Sequence, residues 1–522
     1  MPVSDPLHRP AYQGDLLITA LRRQRNVPVL QVGDETITGQ QFADWISTVR
    51  QALISVGLGP GSTTAMLSPN RPEVLVQLGV GMVLGLRNTP VGTMASLDDQ
   101  ASMLTDGEVE TLIFDPMYAE RAAELAERVP TLTNLFSFGP AEVGTDLLAL
   151  AEQFEPEPLV ISELEPWDYS SLVYTGGTTG RPKAVIGTYG IGNALNYIQM
   201  SEWQMPDRPR FLFCTPLTHA GAAFFLPVLL RGGTLIVLPA FEPGAVLEAI
   251  EKYRITALML VPTMIYKVLD HPDLATRDHS SLERIYYGAA AMSPTRLAEG
   301  LKVFGQVFFQ FYGQTECGMT ICVLKVDEHL ADNPDRLASA GRPVPWLHVK
   351  LLDDQMNEVP TGEVGEICVR GPLVMSGYWN RVEETEEALR GNWLHTGDMA
   401  KADEDGFLTI VDRRKDMIVS GGFNVFPREV EDVIATHPAV SQVAVIGVPH
   451  PTWGEAVTAC VVLREGAQVD PDELVAMVRA AKGPVHAPKT IEIVDTLPVT
   501  PLGKLDKKRM RAERWEGHDR QV

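Results

Sequence analysis

From residue 233 to residue 313 the chain alternates short apolar runs with amphipathic stretches, and that alternation restricts its fold more than any other feature. Residues 233–239, 255–261, 282–287 and 307–312 read as strands, each bounded and rich in aliphatic or aromatic side chains. Residues 245–253 and 264–269 read as helices, and a further helix opens with Ser293 as N-cap and Pro294 in its first turn. Parallel strands need crossovers, so this order predicts an α/β fold built on doubly wound, mostly parallel sheet. Ligands on such sheets bind beyond the carboxyl ends of the strands. Four segments fall at such ends: residues 174–183, Val261-Pro262-Thr263, Gly288-Ala289-Ala290 and Tyr312-Gly313-Gln314-Thr315-Glu316.

At 522 residues the chain exceeds what one hydrophobic core fills, so two or more domains are expected. Beyond about residue 340 the texture changes. Residues 364–369 and 407–411 read as strands, with Asp405-Gly406 as a turn signal. After the charge run Asp412-Arg413-Arg414-Lys415-Asp416 come a helix (428–437), two strands (442–448, 456–463), a helix (471–481) and a strand (490–494). The prediction is a large N-terminal domain, residues 1–413, with doubly wound sheets plus a β-rich portion. A small α+β domain, residues 414–522, follows it, with the hinge in the charge run.

A net charge of −23 argues against nucleic acid or an anionic membrane as partner, and any bound nucleotide then needs local cations. Five cysteines without metal-ligand spacing suit buried free thiols in a reducing compartment. The N-terminus lacks the order of a signal peptide, and residues 74–86 suit a buried helix better than a membrane span. A cytoplasmic protein is expected.

Residues 174–183 read Tyr-Thr-Gly-Gly-Thr-Thr-Gly-Arg-Pro-Lys after an apolar run. Gly176, Gly177 and Gly180 allow tight turns that present N–H groups; Thr175, Thr178 and Thr179 add hydroxyls, and Lys183 adds a charge. This is equipment for a polyphosphate, though no Gly-Lys-Ser/Thr closes it as in a Walker loop. Glu316 ends a strand where a carboxylate can take one face of Mg²⁺ between phosphates, or simply meet water. Asp398, in Trp393-Leu394-His395-Thr396-Gly397-Asp398, suits ribose hydroxyls or an Asx turn. Arg413 suits a sugar or phosphate. Lys504 sits in a Pro- and Gly-punctuated loop, followed by a basic segment. His219 stands among small apolar residues, as either a functional or a core histidine.

In their order, the Gly/Thr loop and residues 216–221, 288–290, 312–316, 365–378, 393–398, 412–431 and 498–504 resemble the adenylate-forming superfamily. That superfamily includes acyl-CoA synthetases, peptide-synthetase adenylation domains and beetle luciferases, and the resemblance runs from about residue 30 to residue 510. It implies that Thr175, Gly176, Gly177, Thr178, Thr179, Gly180 and Lys183 hold the β- and γ-phosphates of ATP. It implies further that Gly288, Ala289, Ala290, Gln310, Phe311, Tyr312, Gly313, Thr315 and Ile410 line the nucleotide cleft. Glu316 would handle Mg²⁺, Asp398 and Arg413 the ribose, and Lys504 the carboxylate and α-phosphate. The carboxylate attacks the α-phosphorus, giving acyl-AMP and pyrophosphate. The mobile small domain then turns about Lys415, withdrawing Lys504 and bringing Ser420, Gly421 and Gly422 beside a thiol tunnel. His219 lines the junction of acyl group and thiol, and Gly221 and Ala222 line the acyl pocket with it.

The chain departs from that pattern at four places. Gly176 replaces a Ser, Ala184 a Gly and Lys415 an Asp, and Thr218 stands where an aromatic residue often precedes the His. Gly176 removes a hydroxyl donor but keeps the backbone nest, which predicts weaker ATP binding at most; Thr218 is expected to open the acyl pocket. No carboxylate follows His219 through Phe225 to hold an α-ammonium, so an amino acid substrate is not expected. No Ser occurs after Ser441, so no phosphopantetheine attachment site follows, which favours free coenzyme A as acceptor. The expected function is an ATP-dependent acyl-CoA ligase for a fatty, aryl or polycyclic acid. Loading a separate carrier protein, or an inactive nucleotide-binding homologue, are the alternatives. A homodimer is allowed.

Overall fold

The computed structural model describes residues 9–175, 182–413, 416–420, 423–499 and 505–515. A seven-stranded sheet runs in the order Thr145–Asp146, Asn134–Ser137, Thr111–Phe114, Thr63–Leu67, Arg87–Pro90, β1 (Tyr169–Thr175) and β2 (Lys183–Thr188). Every pairing in it is parallel except β1 with β2. A nine-stranded sheet runs Glu35–Thr38, Pro28–Val32, Thr234–Val237, Arg210–Phe213, β3 (Ala257–Leu260), β4 (Arg284–Gly288), β5 (Phe308–Tyr312), Cys322–Leu324 and Arg342–Pro343. Its interior is parallel and its edges are antiparallel. Thr111–Phe114 and β3 are buried along their whole length, as strands covered by helices on both faces must be.

One apolar cluster joins residues of both sheets, Met66 and Ile113 with Leu30 and Phe211, to Val369 and Leu394 of a third. That third sheet is antiparallel: His348–Leu352, β6 (Gly365–Arg370), β7 (Leu394–Ala402) and β8 (Leu408–Arg413). The chain leaves it at Arg413 and enters a five-stranded sheet at Ile418. There Gly454–Leu463 lies between Ile418–Ser420 and Val440–His450 and also pairs Thr490–Ile493. Helices α1 (Pro427–Ile434) and Pro471–Lys482 pack on it through Val430, Ile434, Leu474 and Val478, around a separate core with Val445 and Val457. The last described helix is α2 (Lys507–Ala512).

The α/β expectation therefore holds, with strand ends displaced by at most two residues. The stretch expected as a buried helix forms Pro72–Leu84, begun by Pro72 and ended by Gly85 at φ +81°. Ser293 stands where the sequence placed it. It occupies the N-cap position of helix Pro294–Phe304, but its hydroxyl makes no capping bond. Its backbone N–H donates instead to the Tyr266 hydroxyl at 2.8 Å. All five cysteines are free and buried, and no helix among the described residues is long and apolar enough to cross a membrane.

Candidate active site

Strands β1 and β2 pair antiparallel as far as Thr175↔Lys183, the residues on either side of 176–182. Gly176, Gly177, Thr178, Thr179 and Gly180 lie outside the described residues, as do Lys415, Gly421, Gly422 and Lys504. The pair is anchored from below. Asp106 accepts from the Tyr174 hydroxyl at 2.8 Å, and the Asp106 carbonyl accepts from the Trp379 indole at 2.9 Å. Burial, then Asp106, pushes the Tyr174 phenol well above its usual range, so it stays a donor. Ala184 sits in a small apolar cluster with Leu172 and Ile186, so its methyl replaces the usual glycine without conflict.

A strap, residues 374–379, fastens this strand pair to the end of β5. Met375 N–H donates to the Glu316 carbonyl at 2.9 Å, and Cys317 bridges Val374. On the other side Ile186 N–H donates to Gly377, Trp379 N–H donates to Ala184, and Val185 bridges Tyr378. The Tyr378 hydroxyl donates to Glu316 Oε1 at 3.0 Å, and Lys183 Nζ lies 5.2 Å from the centre of the Tyr378 ring. Glu316 thus has one carboxylate oxygen fixed, and no second side-chain partner is present among the described residues. A half-engaged, partly exposed carboxylate is the hard oxygen donor that Mg²⁺ takes, and the residues fit that ion.

A carboxylate corner is built where β5 meets β7 and β8. Asp398 is 4% exposed. Its Oδ2 accepts from the Tyr312 hydroxyl at 2.7 Å and its Oδ1 from Arg413 Nε at 3.2 Å, the latter across the register pair Asp398↔Arg413. A carboxylate accepts about four hydrogen bonds, so two vicinal hydroxyls can still be bound. Burial and Asp398 raise the Tyr312 phenol well above its ordinary value, keeping it a donor. Beneath, buried Glu366 accepts from Gly397 N–H at 2.9 Å and pairs His395 Nδ1 at 2.8 Å, fixing the turn at Gly397 (φ +71°).

Gly288 and Gly313 are dictated by close approach. A Cβ on Gly288 would lie 2.4 Å from the Phe311 carbonyl, and one on Gly313 2.3 Å from the Met319 backbone. Ala289, at φ +65°, and Ala290 are exposed beyond β4. Phe311 is placed differently from a nucleotide contact: its ring stacks on Trp203 at 4.9 Å and is buried, leaving only its backbone edge for a ligand. The Gln310 amide oxygen accepts from the Tyr287 hydroxyl at 2.8 Å; Thr315 and Ile410 are partly exposed.

His219 N-caps the short turn Ala220–Phe224 and faces the other sheet, its Cε1 being 3.7 Å from where a Cβ on Gly92 would stand. Thr218 Oγ1 is 2.9 Å from His219 Nδ1. Thr218 therefore fixes the imidazole as well as shortening the side chain. Gly221 is buried and Ala222 partly exposed beside it. Asn70, which sequence reasoning missed, holds this loop: it donates to Thr215 carbonyl and accepts from Leu217 N–H, both at 2.8 Å. The Ser68-Pro69-Asn70 turn after Thr63–Leu67 was the available signal. Ser420 is buried in its strand.

Next to the Asp398 corner, Asp412 accepts from Arg413 N–H at 2.6 Å and, across the charge run, from Arg428 N–H at 3.1 Å. Burial pushes its carboxyl up to about 6, with Lys507 opposing. Lys507 pairs Glu431 at 2.7 Å and Arg511 pairs Asp416 at 2.6 Å, tying α2 to the same place.

Comparison with known proteins follows the same lines. The AMP-binding enzyme family matches residues 18–379, and the AMP-binding enzyme C-terminal domain matches residues 429–504. The medium/long-chain fatty-acid–CoA ligase FadD8 of Mycobacterium tuberculosis is 51% identical, over 99% of this chain and 92% of that protein. A feruloyl-CoA synthase of Amycolatopsis is 38% identical, over 94% and 97%. The amide bond synthetase McbA of Marinactinospora thermotolerans superposes with a TM-score of 0.87 at 35% identity, covering 95% of this chain and 99% of its own.

Proposed function

This chain belongs to the AMP-binding enzyme family, and from that premise we propose how its residues divide the work of an AMP-forming acyl-CoA ligase. ATP, a carboxylic acid and coenzyme A are the substrates. The acid we infer is hydrophobic: fatty, aryl or polycyclic. The loop between Thr175 and Lys183 cradles the β- and γ-phosphates, and Asp398 with Arg413 grips the ribose. Glu316 would hold Mg²⁺, which supplies charge neutralisation at the phosphates. Lys504 meets the carboxylate and the α-phosphate, lowering the repulsion between two anions as the carboxylate oxygen attacks phosphorus and pyrophosphate departs. The segment after Arg413, hinged at Lys415, then exchanges Lys504 for Ser420, Gly421 and Gly422, and the thiol displaces AMP beside His219. We place the domain boundary at 413/414; a cytoplasmic location, and a homodimer readable by size-exclusion chromatography, belong to the same reading.

The observation that carries this reading is the Tyr312–Asp398–Arg413 corner beside Glu316, at the carboxyl end of β5. Its test is pyrophosphate release over a panel of acids, with and without coenzyme A, and identification of the product. Acid-dependent release of pyrophosphate, with acyl-CoA formed on addition of the thiol, supports it. ATP turned over to ADP, or no acid dependence, contradicts it.

A further inference from the structure

The strap 374–379 touches both halves of the phosphate site through its backbone, and one of its side chains touches both as well. Tyr378 places its hydroxyl 3.0 Å from Glu316 Oε1 and its ring under the Lys183 ammonium, 5.2 Å from the ring centre. The residue has little freedom to do anything else. Its N–H donates to Thr385 Oγ1 at 2.9 Å, its backbone bridges Val185, and Gly377 before it adopts φ +146°, where a Cβ would lie 2.9 Å from Thr385.

Resting on the functional reading above, we propose that Tyr378 is a positioning residue that couples the metal carboxylate to the phosphate loop. Donation from Tyr378 holds Oε1 of Glu316 and turns its other oxygen toward the phosphates. The same ring, with its negative face under Lys183, sets where that cation sits relative to the carboxylate. A cation bound by Glu316 and the polyphosphate held by Lys183 therefore meet in one fixed geometry. The motif 365–378 ends on Tyr378, but the sequence assigns it no role, because only the strap's position brings it to both partners.

The test uses the full chain with α,β-methylene-ATP, and Mn²⁺ as the probe ion read by electron paramagnetic resonance. Tyr378→Phe keeps the ring and the strap and removes only the hydroxyl. It should weaken Mn²⁺ binding in the presence of the analogue about tenfold, while leaving affinity for the analogue without metal unchanged. Tyr378→Leu also removes the ring face and should lower the metal-free affinity as well. In a Glu316→Gln background, Tyr378→Phe should add little. Unchanged Mn²⁺ affinity in Tyr378→Phe overturns the assignment, as does an equal loss with and without metal. An undiminished effect in the Glu316→Gln background overturns it too. Wild-type protein that binds no analogue at all overturns the functional reading itself, and this assignment with it.

Discussion

Asp398 and Asp412 are buried aspartates on adjacent strands of one sheet, 4% and 7% exposed, and they are held in opposite ways. Asp398 is gripped by Tyr312 and Arg413, residues of the core sheets, and keeps acceptor capacity for a ligand. Asp412 takes a backbone N–H from Arg428 in the first turn of α1, beyond the charge run, and faces Lys507 of α2. One carboxylate is set within a rigid frame; the other joins that frame to the segment that carries Lys504. On the proposed reading, the contrast separates groups that would serve both half-reactions from those that would serve one arrangement of the chain.

The widest separation is expected at Lys504. Lys504→Ala should slow acyl-AMP formation about a hundred- to thousandfold and spare thiolysis of supplied acyl-AMP. Equal losses in single-turnover assays of the two half-reactions would erase the distinction between frame and moving segment. Asp398→Asn should act on both half-reactions alike, costing about 2 kcal/mol, or roughly thirtyfold, because ribose is held in each; a loss in only one half-reaction would argue that the corner is not a shared frame.

Asp412→Asn tests the other carboxylate through pH. The folded-state carboxyl lies above its unfolded value of 3.8, at about 6, so the native protein binds the extra proton between those values. Its contribution is therefore full below the unfolded value and is lost as pH rises through about 6. Thermal denaturation should show the Asn variant gaining on wild type from pH 4 to pH 7; a difference independent of pH would contradict the assignment. The smallest effect is expected at Thr218→Phe, a few-fold loss confined to the bulkiest accepted acids. Selectivity profiles that shift uniformly with acid size would locate Thr218 outside the pocket wall.

The strand–helix alternation past residue 233 was legible because each strand is short, apolar and followed by an amphipathic stretch; β3 and β4 emerge within two residues of expectation at their starts. The small unit was equally legible in its long strands. The seven-stranded sheet before β1 was not, since strands such as Arg87–Pro90 are brief and carry polar residues that tertiary contacts bury. Ser293 was legible as an N-cap position, though its hydroxyl makes no capping bond, since capping preference names a position and not the bond. Asp398, Arg413 and Glu316 could be picked by residue type and motif. Tyr378 and Glu366 fell inside the motif 365–378 without a role, and Asn70 was passed over, because what each does depends on which distant segment lies opposite.

An oxygen-tracing experiment goes to the heart of the proposed chemistry. Wild-type protein is supplied with a doubly ¹⁸O-labelled carboxylic acid, ATP and coenzyme A, and the products are weighed by mass spectrometry. Attack by the carboxylate on the α-phosphorus, followed by thiolysis, places one labelled oxygen in AMP and leaves one in acyl-CoA. Unlabelled AMP, or label in pyrophosphate or inorganic phosphate, would contradict the adenylate route.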